Sequence, residues 1–140
     1  MAEFRIAEAS ALLGVSDDTV RRLIDAGRLP ERLDTHNRKV IDGAALAAYA
    51  AAQPSAPEET FGSKVSARNR LVGLVTEVKT DGVMGQVKMR CGPYTITSLI
   101  SADSVRELEL QPGSLAVAVV KSTNVIIETP ANADPIKYEI

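Results

Sequence analysis

The chain holds one cysteine, Cys91, one histidine, His36, and no tryptophan. A single thiol excludes an intramolecular disulfide framework and fits a reducing compartment. Zinc needs several Cys or His ligands close together, so neither residue reads as a metal site. His36 is instead a polar loop residue, and Cys91, beside Gly92-Pro93, a structural thiol. No apolar run approaches the roughly 20 residues of a membrane-spanning helix, and the first residues lack a basic-then-apolar leader pattern. The expectation is a cytoplasmic protein without membrane contact. An excess of one charge is missing as well: at a net charge of -2 there is no global attraction to nucleic acid, so any DNA contact has to come from a local patch. Neither a Ser/His/Asp arrangement nor a phosphate loop followed by Lys is present, and the chain is expected not to be an enzyme.

What is present is a globular composition, 45% hydrophobic and 24% charged, over 140 residues, enough for two small domains. Modules of that size bury little surface, which favours self-association. The N-terminal part is helical in pattern. Ile6, Ala9, Leu12 and Leu13 share one face, and Gly14 supplies the left-handed residue that ends a helix. Ser16 can cap the next helix by accepting from the Thr19 N–H. In that helix Val20, Leu23 and Ile24 fall at core spacing, while Asp17, Asp18, Arg21, Arg22 and Asp25 point away. Gly27 stops it. The polar stretch from Arg32 to Val40 with apolar flanks predicts a short hairpin, after which Asp42 caps an Ala-rich helix through Ala44, Leu46 and Tyr49.

Two helices joined by a Gly-containing turn and followed by a hairpin resemble the winged helix-turn-helix of the MerR/excisionase type. The matching residues are Leu13-Gly14-Val15-Ser16, Thr19-Val20-Arg21-Arg22, Gly27-Arg28-Leu29-Pro30 and Arg38-Lys39-Val40. That resemblance implies DNA-facing residues Ser16, Asp18, Thr19, Arg21 and Arg22 at the second helix, and His36, Asn37, Arg38 and Lys39 on the wing. Ordinary surface charge remains the plain alternative for Arg21 and Arg22. Asp17 and Asp18 stabilise the helix dipole and repel phosphate, so a single copy would bind DNA weakly and assembly would strengthen it.

Residues 53–64 contain Pro54, Pro57, Glu58 and Glu59 without periodicity and read as a flexible linker between a domain at 1–52 and one at 65–130, with a tail at 131–140. In the second domain five strands are expected: Leu71 to Lys79, Gln86 to Cys91, Tyr94 to Ile100, Leu115 to Lys121 and Val125 to Glu128. Asp81-Gly82 and Gly92-Pro93 mark turns, and Ser101 to Leu108 a short helix.

Two clusters stand at the ends of this segment, Ser66-Ala67-Arg68-Asn69 and Lys121-Ser122-Thr123. Each sets a cation beside hydroxyls and backbone N–H groups, a donor set suited to a tetrahedral oxoanion. With Ser101-Ala102-Asp103-Ser104-Val105 and the Leu108-to-Gly113 turn, the segment from Ser66 to Glu128 resembles the Mop module of the molbindin/TOBE family. The implied fold class is α+β, with a mainly helical winged helix-turn-helix followed by an OB-like five-stranded β-barrel. The resemblance further implies molybdate or tungstate as ligand, held by Ser66, Ala67, Arg68, Lys121 and Ser122 of one subunit and by Ser101 and Ser104 of its neighbour. Asn69 could instead brace the loop. Taken singly, each residue also has a plain role: Ser66 can begin a strand, Ser101 can cap a helix, and both cations can be solvated. The expected function is a molybdate-responsive, DNA-binding transcriptional regulator, at least dimeric, with association into hexamers implied by the resemblance. An intracellular molybdate store with a docking helix-turn-helix is the alternative.

Overall fold

The computed structural model describes residues 2–54 and 66–130. The linker from 55 onward and the tail at 131–140 lie outside them. The chain divides into two compact units, with residues 2–54 in the first and 66–127 in the second.

In the first unit β1 (Glu3–Phe4) leads into α1 (Ile6–Leu13) and α2 (Asp17–Asp25), then β2 (Arg32–Leu33), β3 (Lys39–Asp42) and α3 (Gly43–Ala52). Three strands form an antiparallel sheet in the order β1-β3-β2. Gly14 ends α1 at φ 71°, and Val15 N–H donates to Ser10 O at 3.0 Å. Ser16 then caps α2 by accepting from Thr19 N–H at 3.2 Å, and Asp42 caps α3 by accepting from Ala45 N–H, also at 3.2 Å. The core joins Ala9, Val20, Leu29, Ile41 and Leu46, with Phe4, Leu23 and Tyr49 packed around it. One face differs from the sequence expectation: Leu12 is exposed, whereas Ser10 is buried with its Oγ 2.6 Å from Asp17 Oδ1. Asp17 is therefore turned toward α1 rather than away, and the contact ties the two helices together.

The second unit is a curled antiparallel sheet in the order β6-β5-β4-β7, made of β4 (Asn69–Thr80), β5 (Met84–Cys91), β6 (Tyr94–Ser101) and β7 (Leu115–Val120), with α4 (Ala102–Glu107) between the last two. Asp81 closes the β4–β5 turn by accepting from Val83 and Met84 N–H at 2.8 and 2.7 Å, bonds that hold its carboxyl below its ordinary range, the Met84 one most. Gly92, at φ 59°, opens the two-residue β5–β6 loop ahead of Pro93. The register slips between Val75 and Glu77, a bulge that bends β4. Val75, Val87 and Val105 form the core, so α4 packs on the sheet through Val105.

Among the described residues this unit has four strands, not five. Residues 125–128 form no strand: Ile126 is 92% and Ile127 81% exposed. Their β-branched side chains favour extended backbone, but a strand needs a neighbouring edge to pair with, and this unit provides none alongside them. Among the described residues the expected fifth strand is missing, and the sheet has four strands.

Candidate functional site

Antiparallel pairing of β4 with β7 brings the two donor clusters to one end of the sheet. Asn69 lies opposite Val120, so Ser66-Ala67-Arg68 runs into β4 where Lys121-Ser122 leaves β7. Asn69 braces this junction, its Nδ2 donating to Val120 O at 3.1 Å. Arg68 is exposed, and its Nη1 donates to Ser66 O at 3.2 Å. Ala67 is buried beneath and anchors the loop. Lys121 is exposed just before a short 3-10 turn, Ser122–Asn124, where Asn124 N–H donates to Lys121 O at 2.9 Å. The first N–H groups of such a turn have no partner inside it.

Ser101 and Ser104 lie elsewhere. Ser101 sits opposite Met84, and Gly85 opposite Thr80, so the serine pair is at the far end of β4 from Asn69. The eleven steps between the twelve residues of β4, at about 3.3 Å each, make a path of roughly 36 Å along the strand, far beyond the reach of one small ion. One chain does not bring the serines to the cations. Within the pair, Ser104 N–H donates to Ser101 Oγ at 3.0 Å and the two Oγ atoms are 2.8 Å apart. One hydroxyl proton lies between them, so the other is not used within the pair. Ser101 is also the cap of α4, the plain role and the binding role being compatible. Gly85 fixes this corner, because a Cβ there would come within 2.6 Å of Val105 Cγ2.

In the first unit the candidate DNA-facing residues divide by what they already hold. Ser16 and Thr19 are engaged with each other at the cap, Oγ to Oγ1 at 2.9 Å. Arg21 pairs with Asp18 at 3.3 Å and Lys39 with Glu31 at 3.5 Å. Arg22 is exposed and carries no ion pair among the described residues. His36 and Asn37 form the exposed hairpin tip, with Asn37 at φ 60° and His36 Nδ1 3.3 Å from Thr35 Oγ1. Arg38 Nε donates to Asp34 Oδ2 at 2.9 Å.

Arg21, Arg38 and Lys39 converge on one groove of about 810 Å³ between the start of α1, α2 and the hairpin. Arg5 lines it too, and sequence reasoning overlooked this residue. A cation at the start of a helix opposes the helix dipole, and that misfit was the available signal. Glu8, Asp17, Asp25 and Glu31 share the groove and offset its cations. Among the described residues no three His, Cys, Asp or Glu side chains group as a metal site, and no helix is long and apolar enough to cross a membrane.

A helix-turn-helix domain model matches residues 3–54, and the TOBE domain model matches residues 65–127. Among curated relatives the chain is similar to Molybdenum-pterin-binding protein 2 of Clostridium pasteurianum, with 47% identity over 64 residues that cover 45% of this chain and 94% of that protein. It is similar to Molybdenum transport protein ModE of Azotobacter vinelandii at 37% identity over 67 residues, 47% of this chain and 25% of that one. Among solved structures, a molybdate binding protein from Sporomusa ovata aligns at 33% identity with a TM-score of 0.47, covering 48% of this chain and 100% of the other.

Proposed function

From a chain that belongs to the molybdenum-pterin-binding (Mop) family through its TOBE domain and carries a helix-turn-helix domain ahead of it, we propose a molybdate-responsive DNA-binding regulator of the cytoplasm, a binding protein and not an enzyme. One observation carries the ligand half. The Arg68 and Lys121 clusters meet at one end of the sheet while the Ser101–Ser104 pair sits at the other, so a complete donor shell requires two copies, cation end against serine end. Molybdate is a tetrahedral dianion that needs donors alone, and these residues supply a fork, a point charge, hydroxyls and backbone N–H groups. Tungstate has the same charge and shape and fits the same donors.

Assembly is therefore part of the site. A dimer is the smallest form that completes it, and dimers can associate further into hexamers. The exposed Ile126 and Ile127 and the all-apolar edge strand β7 offer surface that such an assembly would cover. Anion that completes its shell only across the interface stabilises the assembled state, and a multivalent set of helix-turn-helix domains binds DNA more tightly than one. Arg21, Arg22, His36, Asn37, Arg38 and Lys39 are the DNA-facing residues, with Arg5 added from the groove. The carboxylates in that groove favour a second reading, an intracellular molybdate store whose helix-turn-helix docks on protein.

Calorimetric titration of the full chain with molybdate, sulfate and phosphate tests the ligand. Selective binding of molybdate supports the proposal, and indifference to it overturns it. Salt-dependent binding to duplex DNA from the chain's own upstream region separates the readings, since a store binds none.

A further inference from the structure

We propose that Asp34 is a positioning residue that locks the β2–β3 hairpin tip and aims the Arg38 guanidinium at a nucleic-acid phosphate, a role that rests on the DNA-binding reading above. The hairpin is exposed, yet the Asp34 side chain keeps only 10% of its surface. Its Oδ1 accepts from His36 N–H at 2.8 Å and from Arg38 N–H at 2.9 Å, and Oδ2 accepts from Arg38 Nε at 2.9 Å. Its backbone is used as well: Asp34 N–H donates to Arg38 O at 2.9 Å, and Asn37 N–H donates to Asp34 O at 3.0 Å. These bonds hold the five-residue tip in one shape, with Asn37 in the left-handed region that Asn tolerates better than most residues. The backbone N–H of Arg38, more than its guanidinium, keeps the Asp34 carboxyl below its ordinary range.

What this does to Arg38 follows from the shape of the guanidinium. Asp34 takes Nε–H, the donor nearest the stem, so the four N–H bonds of the two terminal nitrogens are not used by this clamp, and the side chain keeps 49% of its surface. Two other cations of the groove are held differently. Arg21 meets Asp18 and Lys39 meets Glu31 through side chains alone, and neither carboxylate takes a backbone N–H among the described residues. Those pairs can swing apart without disturbing the fold. The Asp34 clamp is built into the turn.

The sign of one substitution separates this role from the plain one. A solvated acid near DNA repels phosphate, so neutralising it strengthens binding. A positioning acid does the opposite. Asp34→Asn keeps an oxygen for the two backbone N–H groups but loses the charged partner of Nε. Fluorescence anisotropy of the full chain with a labelled mixed-sequence duplex, across a salt series, should show D34N weakening binding by roughly three- to tenfold, the cost of one arginine no longer held in place. The slope of log K against log salt should stay as in the parent, because no cation is lost. Arg38→Ala should weaken binding and lower that slope by about one. In the R38A background D34N should no longer weaken binding, because only the repulsion of phosphate by the acid is then removed.

D34N binding as well as the parent or tighter overturns the proposal, as does an undiminished effect in the R38A background. A parent chain that binds no duplex at any salt removes the DNA reading itself, and the phosphate with it. NMR of the free protein then still reads the clamp: Arg38 Nε–H exchanging as fast as an unbonded guanidinium overturns it, and slow exchange lost in D34A supports it.

Discussion

Replacing Gly73 by alanine would put a methyl group 2.3 Å from the Arg90 carbonyl oxygen, 2.7 Å from Cys91 Sγ and 2.9 Å from the Arg90 carbonyl carbon. Ordinary carbon–oxygen contacts begin near about 3.3 Å, so β4 and β5 must part by about 1 Å at this point. Two of the three obstructing atoms are backbone, and no rotamer change relieves them. Overpacking of a tight site costs about 1–3 kcal/mol. A ladder hydrogen bond weakened at the neighbouring Leu74–Arg90 pair adds about 1 kcal/mol. The second unit should therefore lose about 2–4 kcal/mol, which for a domain of this size lowers its melting temperature by roughly 10–25 °C. Differential scanning calorimetry of the full chain should show that transition falling while the first unit's stays in place. Gly82→Ala is the control: nothing lies within 4 Å of its Cβ position, and its effect should stay within about 0.5 kcal/mol. A G73A chain that melts with the parent would refute the close approach of the two strands and the curl built on it.

Arg68→Ala should weaken molybdate binding by about 1.5–3 kcal/mol in calorimetry, and Lys121→Ala by less, because lysine is a point charge without the fork; parent-like binding in both would remove them from the site. Sedimentation velocity across a dilution series should show the assembly persisting to lower protein concentration when molybdate is present, and a chain that binds it tightly as a monomer would refute the shared site. Asp81 has its carboxyl held below the ordinary 3.8 by Met84 and Val83 N–H, so its contribution is complete above that value and vanishes as pH falls through the lower folded-state one. Asp81→Asn should accordingly be less stable than the parent at neutral pH in denaturant titrations, with the gap closing in the acid window below 3.8; a constant gap would contradict the assignment.

Local chemistry was legible from residue order. Ser16, Asp42 and Ser101 cap helices because a hydroxyl or carboxylate three residues ahead of a free N–H has few better partners, and Gly14 ends α1 for want of a Cβ. Properties that depend on distant partners were not. The run Val125-Ile126-Ile127 has the composition of a strand, but whether it becomes one depends on an edge elsewhere, and among the described residues none pairs with it. Ser10 rather than Leu12 faces inward because Asp17, seven residues on, accepts its hydroxyl. The candidate site divides along the same line. The two cation clusters could be picked out by residue type, but only the Asn69–Val120 register joins them, and only the Met84–Ser101 register sets the serines at the opposite end. The pairing of Arg21, Arg38 and Lys39 with nearby acids likewise became visible only in three dimensions.

Because the cations and the serine pair lie at opposite ends of the sheet, the shared site proposed above gives each chain a head and a tail, and in it heads would meet only tails. Such a unit counts its own neighbours. In a closed assembly, whether a two-fold pair or a ring, every head is matched and the number of junctions equals the number of chains; an open row always has one junction fewer. The equivalence point of an anion titration is therefore a statement about topology. One ion per chain signals closure, half an ion per chain an open pair, and intermediate values an open row whose length can be computed from the shortfall.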